Sequence, residues 1–384
     1  MNTLETYHNT PFLYINKPGF LLHLCKVITV IPDNMKMNLK QSILLILALM
    51  PGYISVQAQT ASALEVVAEL DIRPGNVAVN AEGRVFATVH PLANPTLQLI
   101  EITGKDSYVP FPNAAWQNAT GTPDSKKLDT PLGIRIDKNN VLWIIDMGQR
   151  LGTTRLFGFD IATKKEVFRY DFPADIAPKG SFIQDLAVDE DNGWVYLADI
   201  ANPGIVALNT ETKEARRFAD PTVQAEKVDM IIDGKLINFG GAPASVAVNP
   251  ITLSADHNTL YYGAMNGTTW YKVPATLFRE GATDYAISNA VKVHGPKPVS
   301  DGAMTDAAGN HYFTNIQHHG IDVLTAEGEL KPVVRDARID WADNVALDGK
   351  GWIYVTVNQL HKTPAFTGGA DTGKAPYFIF RVKI

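Results

Sequence analysis

Carboxylate, amide and imidazole side chains recur at the ends of short apolar segments throughout this sequence. One group stands just before such a segment and comprises Gln184, Asn249, Asp301 and Asp343. A second group stands just after such a segment and comprises Asp146, Asp199, Asn315 and Asn358, with His318 and His361 a few residues beyond the last two. Together these residue types can bind a small polar molecule, hold a hard cation or transfer a proton, provided that the fold gathers them.

The stretch around Asp301 shows the element that would gather these side chains. It runs from Asp301 through a short apolar strand, a turn rich in Asp, Gly and Asn, and an apolar-aromatic strand to Asn315. Alternating apolar residues that flank such a turn indicate a β-hairpin. The same pattern recurs in the segments 132–146, 184–199, 249–263 and 343–358, and more weakly in 75–90.

Further strands follow each hairpin, as 155–160 and 166–172 do after the second. Six repeats of four strands predict an all-β fold, a six-bladed β-propeller. The alternative is a β-sandwich, which has no reason to repeat at this period. The segments 64–70 and 377–383 belong to no hairpin, and we expect them to pair in the last blade and close the ring.

The two innermost strands of a propeller blade run antiparallel, so both polar groups are expected at one mouth of the central channel. We interpret this mouth as the ligand-binding face. His318 and His361 are its candidate catalytic bases, although a solvated loop is the alternative for His318. Asp301 and Asn249 are candidate ligands for a divalent cation, and oxygen ligands without cysteine favour Ca²⁺ or Mg²⁺.

Strand-end side chains also have a purely structural interpretation. Asp and Asn often cap turns and satisfy backbone groups, and this alternative applies to Asp146, Asp199 and Asn315. The hairpin-turn aspartates are expected at the other mouth, in a structural role; they are Asp137, Asp189, Asp306 and Asp348.

The N-terminal region has the features of an export signal. Lys36 and Lys40 precede the apolar run 43–50, and Ala58 ends a small-residue cleavage site. We therefore predict a signal peptide over 35–58 and a propeller domain over 59–384, with 1–34 as an upstream extension outside any domain. A genuine N-terminal extension with a signal anchor is the alternative.

Charge and cysteine usage limit the partners and the compartment. The net charge is −6, and because the predicted leader carries +2, the mature chain has about −8, which argues against a nucleic-acid partner. No basic amphipathic helix suggests a membrane surface. The single cysteine, Cys25, lies in the upstream extension, so the mature chain would have none. We expect a monomer that is secreted or periplasmic and binds a small molecule.

Several of these segments resemble the major royal jelly protein and Yellow family, and above all its bacterial members related to L-dopachrome tautomerases. The similarity covers roughly 64–384, and the order of its motifs is more specific than any single motif. The resemblance implies a secreted six-bladed propeller that converts dopachrome, binds small amines, or has a nutritive or structural role. The matching motifs are 132–137 with 142–148, 182–189 with 195–205, 253–262, and 341–348 with 358–361.

Two classes of function follow from these features. An enzyme would be a dopachrome tautomerase-like isomerase, which needs a base, or a lactonase-like hydrolase of similar fold, which needs a divalent metal. Gly75 and Asn76 stand where the lactonase type needs an acid in the first blade, and this disfavours the hydrolase. A binding protein would use the same mouth for a small aromatic or amine ligand without turnover.

Overall fold

The computed structural model describes residues 64–384, in which the first strand, β1 (Glu65–Leu70), precedes a series of four-stranded antiparallel sheets. Blade 1 contains β2 (Pro74–Val79), β3 (Val85–Val89), β4 (Leu99–Gly104) and β5 (Ser107–Pro110). Blade 2 contains β6 (Pro131–Ile136), β7 (Val141–Asp146), β8 (Arg155–Asp160) and β9 (Lys165–Asp171). Blade 3 contains β10 (Ile183–Asp189), β11 (Trp194–Asp199), β12 (Gly204–Asn209) and β13 (Ala215–Phe218).

The second half of the ring has the same design, with additions in its connections. Two small hairpins follow blade 3, β14 (Ile231–Ile232) with β15 (Lys235–Leu236) and β16 (Asn238–Phe239) with β17 (Ala242–Pro243). Blade 4 contains β18 (Val248–Leu253), β19 (Thr259–Ala264), β20 (Thr269–Pro274) and β21 (Lys292–Pro296). Blade 5 contains β22 (Ala303–Thr305), β23 (His311–Asn315), β24 (Gly320–Leu324) and β25 (Leu330–Arg335). Blade 6 contains β26 (Ala342–Leu347), β27 (Trp352–Val357), β28 (Tyr377–Lys383) and β1.

Helices are confined to the connections between strands. Helices α1 (Thr276–Arg279) and α2 (Asp284–Ala290) join β20 to β21, and α3 (Pro364–Thr367) precedes β28. Short 3₁₀ helices lie at Pro91–Ala93, Ala114–Trp116, Pro221–Val223 and Leu360–Lys362. Within residues 64–384, no helix is long and apolar enough to cross a membrane.

The first strand of each blade lies beside the first strands of both neighbouring blades. The order is β2, β6, β10, β18, β22, β26 and back to β2, so these strands surround a central channel. This closed ring of six sheets confirms the predicted six-bladed β-propeller.

The two ends of the described chain close the ring together. β1 is the outermost strand of blade 6 and pairs antiparallel with β28, with Val66 opposite Phe380 and Leu70 opposite Tyr377. This pairing confirms the expected closure and covers an edge of β28 that would otherwise be open. The predicted leader, 35–58, and the preceding 1–34 lie outside the described residues.

Apolar side chains fill the spaces between adjacent blades, so both faces of each sheet are buried. Ile145 of blade 2, for example, packs in one cluster with Leu186 and Val195 of blade 3. The smallest such cluster in the described chain lies between blades 4 and 5, where the buried apolar residues are Trp270, Ala303, Phe313 and Leu324.

Bulges interrupt the pairing of the two innermost strands near one mouth of the channel. In five of the six blades the register shifts there, within 74–77, 131–134, 183–185, 248–251 and 342–345. Because a bulge inserts one extra residue, two successive side chains can reach the channel where strict alternation allows only one.

A small hairpin over residues 231–236 follows blade 3. β14 and β15 are joined by Asp233 and Gly234, whose φ angles of 50° and 73° are typical of a tight two-residue turn. The second small hairpin, β16–β17, and helix α3 come together near the channel mouth. The amide nitrogen of Gly240 donates to the carbonyl oxygen of Ala365 at 3.0 Å.

Candidate functional site

Asp301 lies at the channel mouth, just before β22. Its carboxylate accepts hydrogen bonds from side chains of three other blades. Its Oδ1 accepts hydrogen bonds from Asn249 Nδ2 at 2.6 Å and from Gln184 Nε2 at 3.3 Å. Its Oδ2 accepts from the indole nitrogen of Trp341 at 2.8 Å. The structure thus brings together three of the side chains predicted for this mouth, and it adds Trp341.

Asp343 is held in the same way in blade 6, which lies next to blade 5 in the ring. Its Oδ1 accepts from Asn76 Nδ2 at 2.9 Å, and its Oδ2 accepts from Asn358 Nδ2 at 2.6 Å. The Nε2 atom of His90 lies 3.8 Å from Asp343 Oδ2. Blades 1 and 6 therefore supply the surroundings of this second carboxylate, including His90 and Asn76.

A buried arginine crosses the channel behind the two carboxylates. Arg135 Nη2 donates to Asp185 Oδ1 at 3.1 Å and to the carbonyl oxygen of Ala303 at 3.2 Å. Its Nη1 donates to Asn344 Oδ1 at 3.0 Å. One guanidinium in blade 2 thereby contacts blades 3, 5 and 6 and fills the middle of the channel.

The channel holds more buried carboxylates than cations, and their pKa values reflect this. Burial raises the pKa of Asp343 to about 7, although hydrogen bonds from the neighbouring amides oppose the change. Burial and the charge of Asp343 raise the pKa of Asp301 well above its usual range. Burial raises the pKa of Asp185 to about 6 against the opposing effect of the Arg135 charge. Near neutral pH the site therefore retains protons.

Histidine at this mouth is neutral. Burial, with a smaller contribution from the positive charge of Arg73, lowers the pKa of His90 to about 3. Its 3.8 Å approach to Asp343 is therefore not an ion pair at neutral pH. A neutral imidazole beside a carboxyl group that titrates near pH 7 is an arrangement that can accept or relay a proton.

Three amide oxygens beside these carboxylates have no donor within residues 64–384. They are Asn76 Oδ1, Asn249 Oδ1 and Asn358 Oδ1, and all three side chains are buried. A buried acceptor without a partner costs about 1–3 kcal/mol. The site therefore suits a ligand or ordered water that brings N–H or O–H donors.

An apolar lid covers Asp301 on the mouth side. We define the lid as 238–243 together with helix α3; its Phe239 and Phe366 rings lie 4.8 Å apart. The cavity beneath the lid has a volume of only about 30 Å³, room for about two water molecules. Its walls are formed by His90, Leu92, Phe182, Gln184, Ile200, Phe239, Val246, Met265, Asp301, Leu360 and Phe366.

Asp146 and Asp199 lie at equivalent strand ends but have local partners. Asp146 is fully buried and accepts from the backbone nitrogens of Asp129 and Thr130, each at 2.8 Å, and from Arg155 at 2.5 Å. Asp199 likewise accepts from nearby backbone nitrogens and from a neighbouring arginine. Ligand contact by these two residues stays a prediction, and the geometry favours the capping role.

The two predicted asparagines differ from one another. Asn315 donates to Asp322 Oδ2 at 2.7 Å and accepts from the backbone nitrogen of His318, so it serves the local turn. Asn358 instead reaches Asp343 in the channel. The backbone carbonyl oxygen of Asn358 also accepts a hydrogen bond from Arg73 Nε at 2.8 Å.

The two candidate catalytic histidines do not line the cavity beneath the lid. His318 belongs to the turn after β23. His361 stacks on Trp341 with ring centroids 5.8 Å apart, and its Nε2 lies 3.6 Å from Asp340. It faces a separate cavity, and burial lowers its pKa. The catalytic role of both histidines stays a prediction, and His90 is the histidine that the structure places at the site.

The amide geometry argues against a metal at Asp301. Asn249 presents its nitrogen rather than its oxygen to this carboxylate, as Gln184 and Trp341 also do. Within residues 64–384, no three His, Cys, Asp or Glu side chains are grouped so that they could hold a metal ion. The metal-ligand assignment of Asp301 and Asn249 stays a prediction that this geometry does not favour.

Comparison with known proteins shows which family the chain belongs to. The sequence profile of the family described as Major royal jelly protein matches residues 130–374. The chain belongs to this family. Protein yellow of Drosophila yakuba is 25% identical over 201 residues, which are 47% of this chain and 36% of that protein. Protein yellow of Drosophila melanogaster gives the same identity and coverage. This major royal jelly family chain therefore aligns with only about a third of the length of these relatives.

Solved structures with the same fold are more distant in sequence. A gluconolactonase from Xanthomonas campestris superposes with a TM-score of 0.52 at 13% identity, covering 84% of this chain and 90% of that one. A virginiamycin B lyase from Staphylococcus aureus gives 0.50 at 16% identity, with 84% and 99% covered. At such identities the likeness shows that the major royal jelly family chain shares their propeller fold and no more.

Proposed function

We propose that this major royal jelly family propeller binds a small aromatic molecule carrying a protonated amine at the mouth of its central channel. The observation that carries the proposal is the pair Asp301 and Asp343 beside three buried amide oxygens that lack donors. An ammonium group has three N–H donors and a positive charge, so it satisfies the oxygens and relieves the repulsion between the carboxylates.

The apolar residues of the lid favour a ligand that contains an aromatic ring. Phe182, Phe239 and Phe366 line the cavity above the polar groups. Phe239 and Phe366 both line this cavity and contact one another, so the proposal includes opening of the Phe239–Phe366 contact to admit the ligand. Closure over the ring would then exclude water and strengthen the contacts between charges.

Isomerisation of such a ligand is a second candidate function. A dopachrome tautomerase-like reaction removes a proton from carbon and returns one to oxygen, with no net oxidation. The pKa of about 7 suits Asp343 to this transfer, because an acid–base group works best when it titrates near the working pH. Asp343 and neutral His90 support this role better than His318 and His361 do. A non-catalytic binding protein is the alternative, and the lactonase-like hydrolase has the least support.

Secretion and a monomeric state belong to the same proposal. The predicted signal peptide over 35–58 supports export, and sequencing the N-terminus of the secreted protein tests it, with Gln59 expected as the first residue. A closed propeller whose six sheets leave only short outer edges is compatible with a monomer.

Calorimetric titration with tyramine and 4-ethylphenol tests the binding proposal, because the two ligands differ only in the amine. We expect tyramine to bind at least about tenfold more tightly, the scale of one or two charge-assisted hydrogen bonds. Asp301→Asn should remove this preference, whereas the turn variant Asp348→Asn should keep it. Equal binding of the two ligands would refute the proposal. A melting shift with Ca²⁺ that Asp301→Asn abolishes would instead support a metal site.

Turnover is tested separately with dopachrome, followed by its loss of visible absorbance. The isomerase proposal expects a rate that Asp343→Asn reduces strongly while tyramine still binds. Tyramine binding without any acceleration of dopachrome conversion would identify a binding protein rather than an isomerase.

A further inference from the structure

A second cavity, which shares no lining residue with the cavity beneath the lid, runs along the outer strands of blade 4. Its volume is about 390 Å³, much larger than the cavity beneath the lid. We call it the blade 4 groove and define it by its lining residues, which are Thr259, Tyr261, Lys272, Val273, Pro274, Asn289, Ala290 and Lys292.

Three of these residues form a row across the sheet. Tyr261 of β19 is the cross-strand partner of Lys272 of β20, and Lys272 is the partner of Lys292 of β21. Direct partners project from the same face of a sheet, with Cβ atoms roughly 4.5–5.5 Å apart. The two ammonium groups can therefore converge on one bound group beside the tyrosine ring.

This pair of lysines has no carboxylate partner within residues 64–384. Like charges directly opposite one another destabilise a sheet, so the pair needs a counter-charge. Asp256, whose charge acts on Tyr261, is already bonded to Ser254 and Asn258. By contrast, Lys105 on blade 1 has an acidic partner, Glu69, at 2.9 Å.

Neighbouring groups add to the excess of donors and positive charge. Burial and the charge of Lys272 lower the pKa of His294, which indicates a positive local field although the whole chain is acidic. The Nε2 atoms of His294 and His311 lie 2.9 Å apart. The buried indole nitrogen of Trp270, which stacks on Tyr261, has no acceptor in the described chain.

We propose that the blade 4 groove binds a dianionic phosphate group carried by a small molecule. Lys272 and Lys292 would neutralise its two charges, and the amide of Asn289 adds a neutral donor. Pro274 and Ala290 give the groove an apolar side for the carbon part of an ester. This site is independent of the proposed amine site at the channel mouth.

The test is calorimetric titration with inorganic phosphate and with phenyl phosphate at constant ionic strength. The double variant Lys272→Gln/Lys292→Gln should bind both at least about tenfold more weakly than the unmutated protein. Lys105→Gln is the matched control, because it removes an exposed strand-edge lysine that has a partner. Unchanged phosphate affinity in the double variant, or an equal loss in the control, would overturn the proposal.

Melting curves give a second readout that does not depend on the ligand chosen. In chloride buffer the double variant should melt higher than the unmutated protein, since the repulsion is gone, and phosphate should no longer raise its melting temperature. A lower melting temperature together with a retained phosphate shift would refute the site. If phenyl phosphate binds more tightly than inorganic phosphate, the ligand of the groove is a phosphate ester. If the two bind equally, the ligand is the free phosphate ion. Asp301→Asn should leave both affinities unchanged, which separates this proposal from the amine site.

Discussion

Replacement of Asp343 by Asn should stabilise the protein, and the gain should grow with pH. Burial raises the pKa of this carboxyl group from 3.8 to about 7. The native state therefore binds the proton more tightly than the unfolded chain does. Stability contributed by the protonated form is complete below about pH 4 and is lost progressively as the pH rises through about 7.

The size of the effect follows from the two pKa values. Raising the pKa from 3.8 to about 7 disfavours the ionised native form by about 4 kcal/mol at alkaline pH. Between pH 5 and pH 8 the unmutated protein loses about 2.5 kcal/mol through this group, while an amide loses nothing.

The surroundings can accommodate the new amide. Asn76 and Asn358 now donate to both oxygens of Asp343, so an amide nitrogen would at first face a donor. Each of these asparagines has an unpartnered Oδ1, however, and a flip of either side chain presents that oxygen to the new N–H. We allow about 1 kcal/mol for this rearrangement, which leaves a net gain of about 3 kcal/mol at pH 8.

Urea unfolding of Asp343→Asn and the unmutated protein at pH 5, 6.5 and 8 measures the prediction. The difference in unfolding free energy should widen by about 2.5 kcal/mol from the first pH to the last. Asp348→Asn, in the exposed turn of the same hairpin, is the control and should follow the unmutated curve. Parallel curves for Asp343→Asn and the unmutated protein would refute the reasoning that Asp343 holds a proton near neutral pH.

Two further predictions concern the lid and the closure of the ring. Phe366→Ala should speed tyramine association by about tenfold, because it removes the Phe239 contact that closes the cavity. Stopped-flow tryptophan fluorescence measures the association rate. An unchanged rate would mean that the lid does not control entry. Deletion of 59–70 removes β1 and exposes the edge of β28, so the shortened protein should aggregate in size-exclusion chromatography with light scattering. A monomer that unfolds like the full mature chain would contradict that expectation.

The repeated hairpins made the fold predictable from the sequence. Each repeat combines apolar alternation with a turn whose residues favour one backbone conformation, so the sequence alone locates its strands. The same regularity located Asp301, Asn249 and Gln184 at one mouth, because antiparallel strands return to the end where they began. The termini at 64–70 and 377–383 were predictable as partners because each was a strand without a hairpin.

The remaining site residues were hidden by irregularities that alternation does not describe. The bulge around 184 brings Asp185 to Arg135 as well as Gln184 to Asp301, whereas a regular strand would direct one of the two away. Arg135 itself gave one signal, a charge inside an apolar innermost strand, which only a buried partner can compensate.

The lid could not be predicted for a different reason. Phe239 and Phe366 lie in separate loops far apart in the sequence, and neither loop has a periodic pattern. Their contact depends on where the blades place the loop ends, which is a property of the whole ring.

The pairing of β1 with β28 also determines when the protein can finish folding. Glu65 and Arg381 form a hydrogen bond at 2.8 Å across 316 positions of sequence. Blade 6 therefore stays incomplete during synthesis until β28 has left the ribosome, and ring closure has to overcome the entropy of a loop as long as the whole domain. Until that moment β1 is an unpaired apolar strand that can associate with other chains. Under the export proposed above, the same delay would keep the polypeptide unfolded while it passes through a translocation pore.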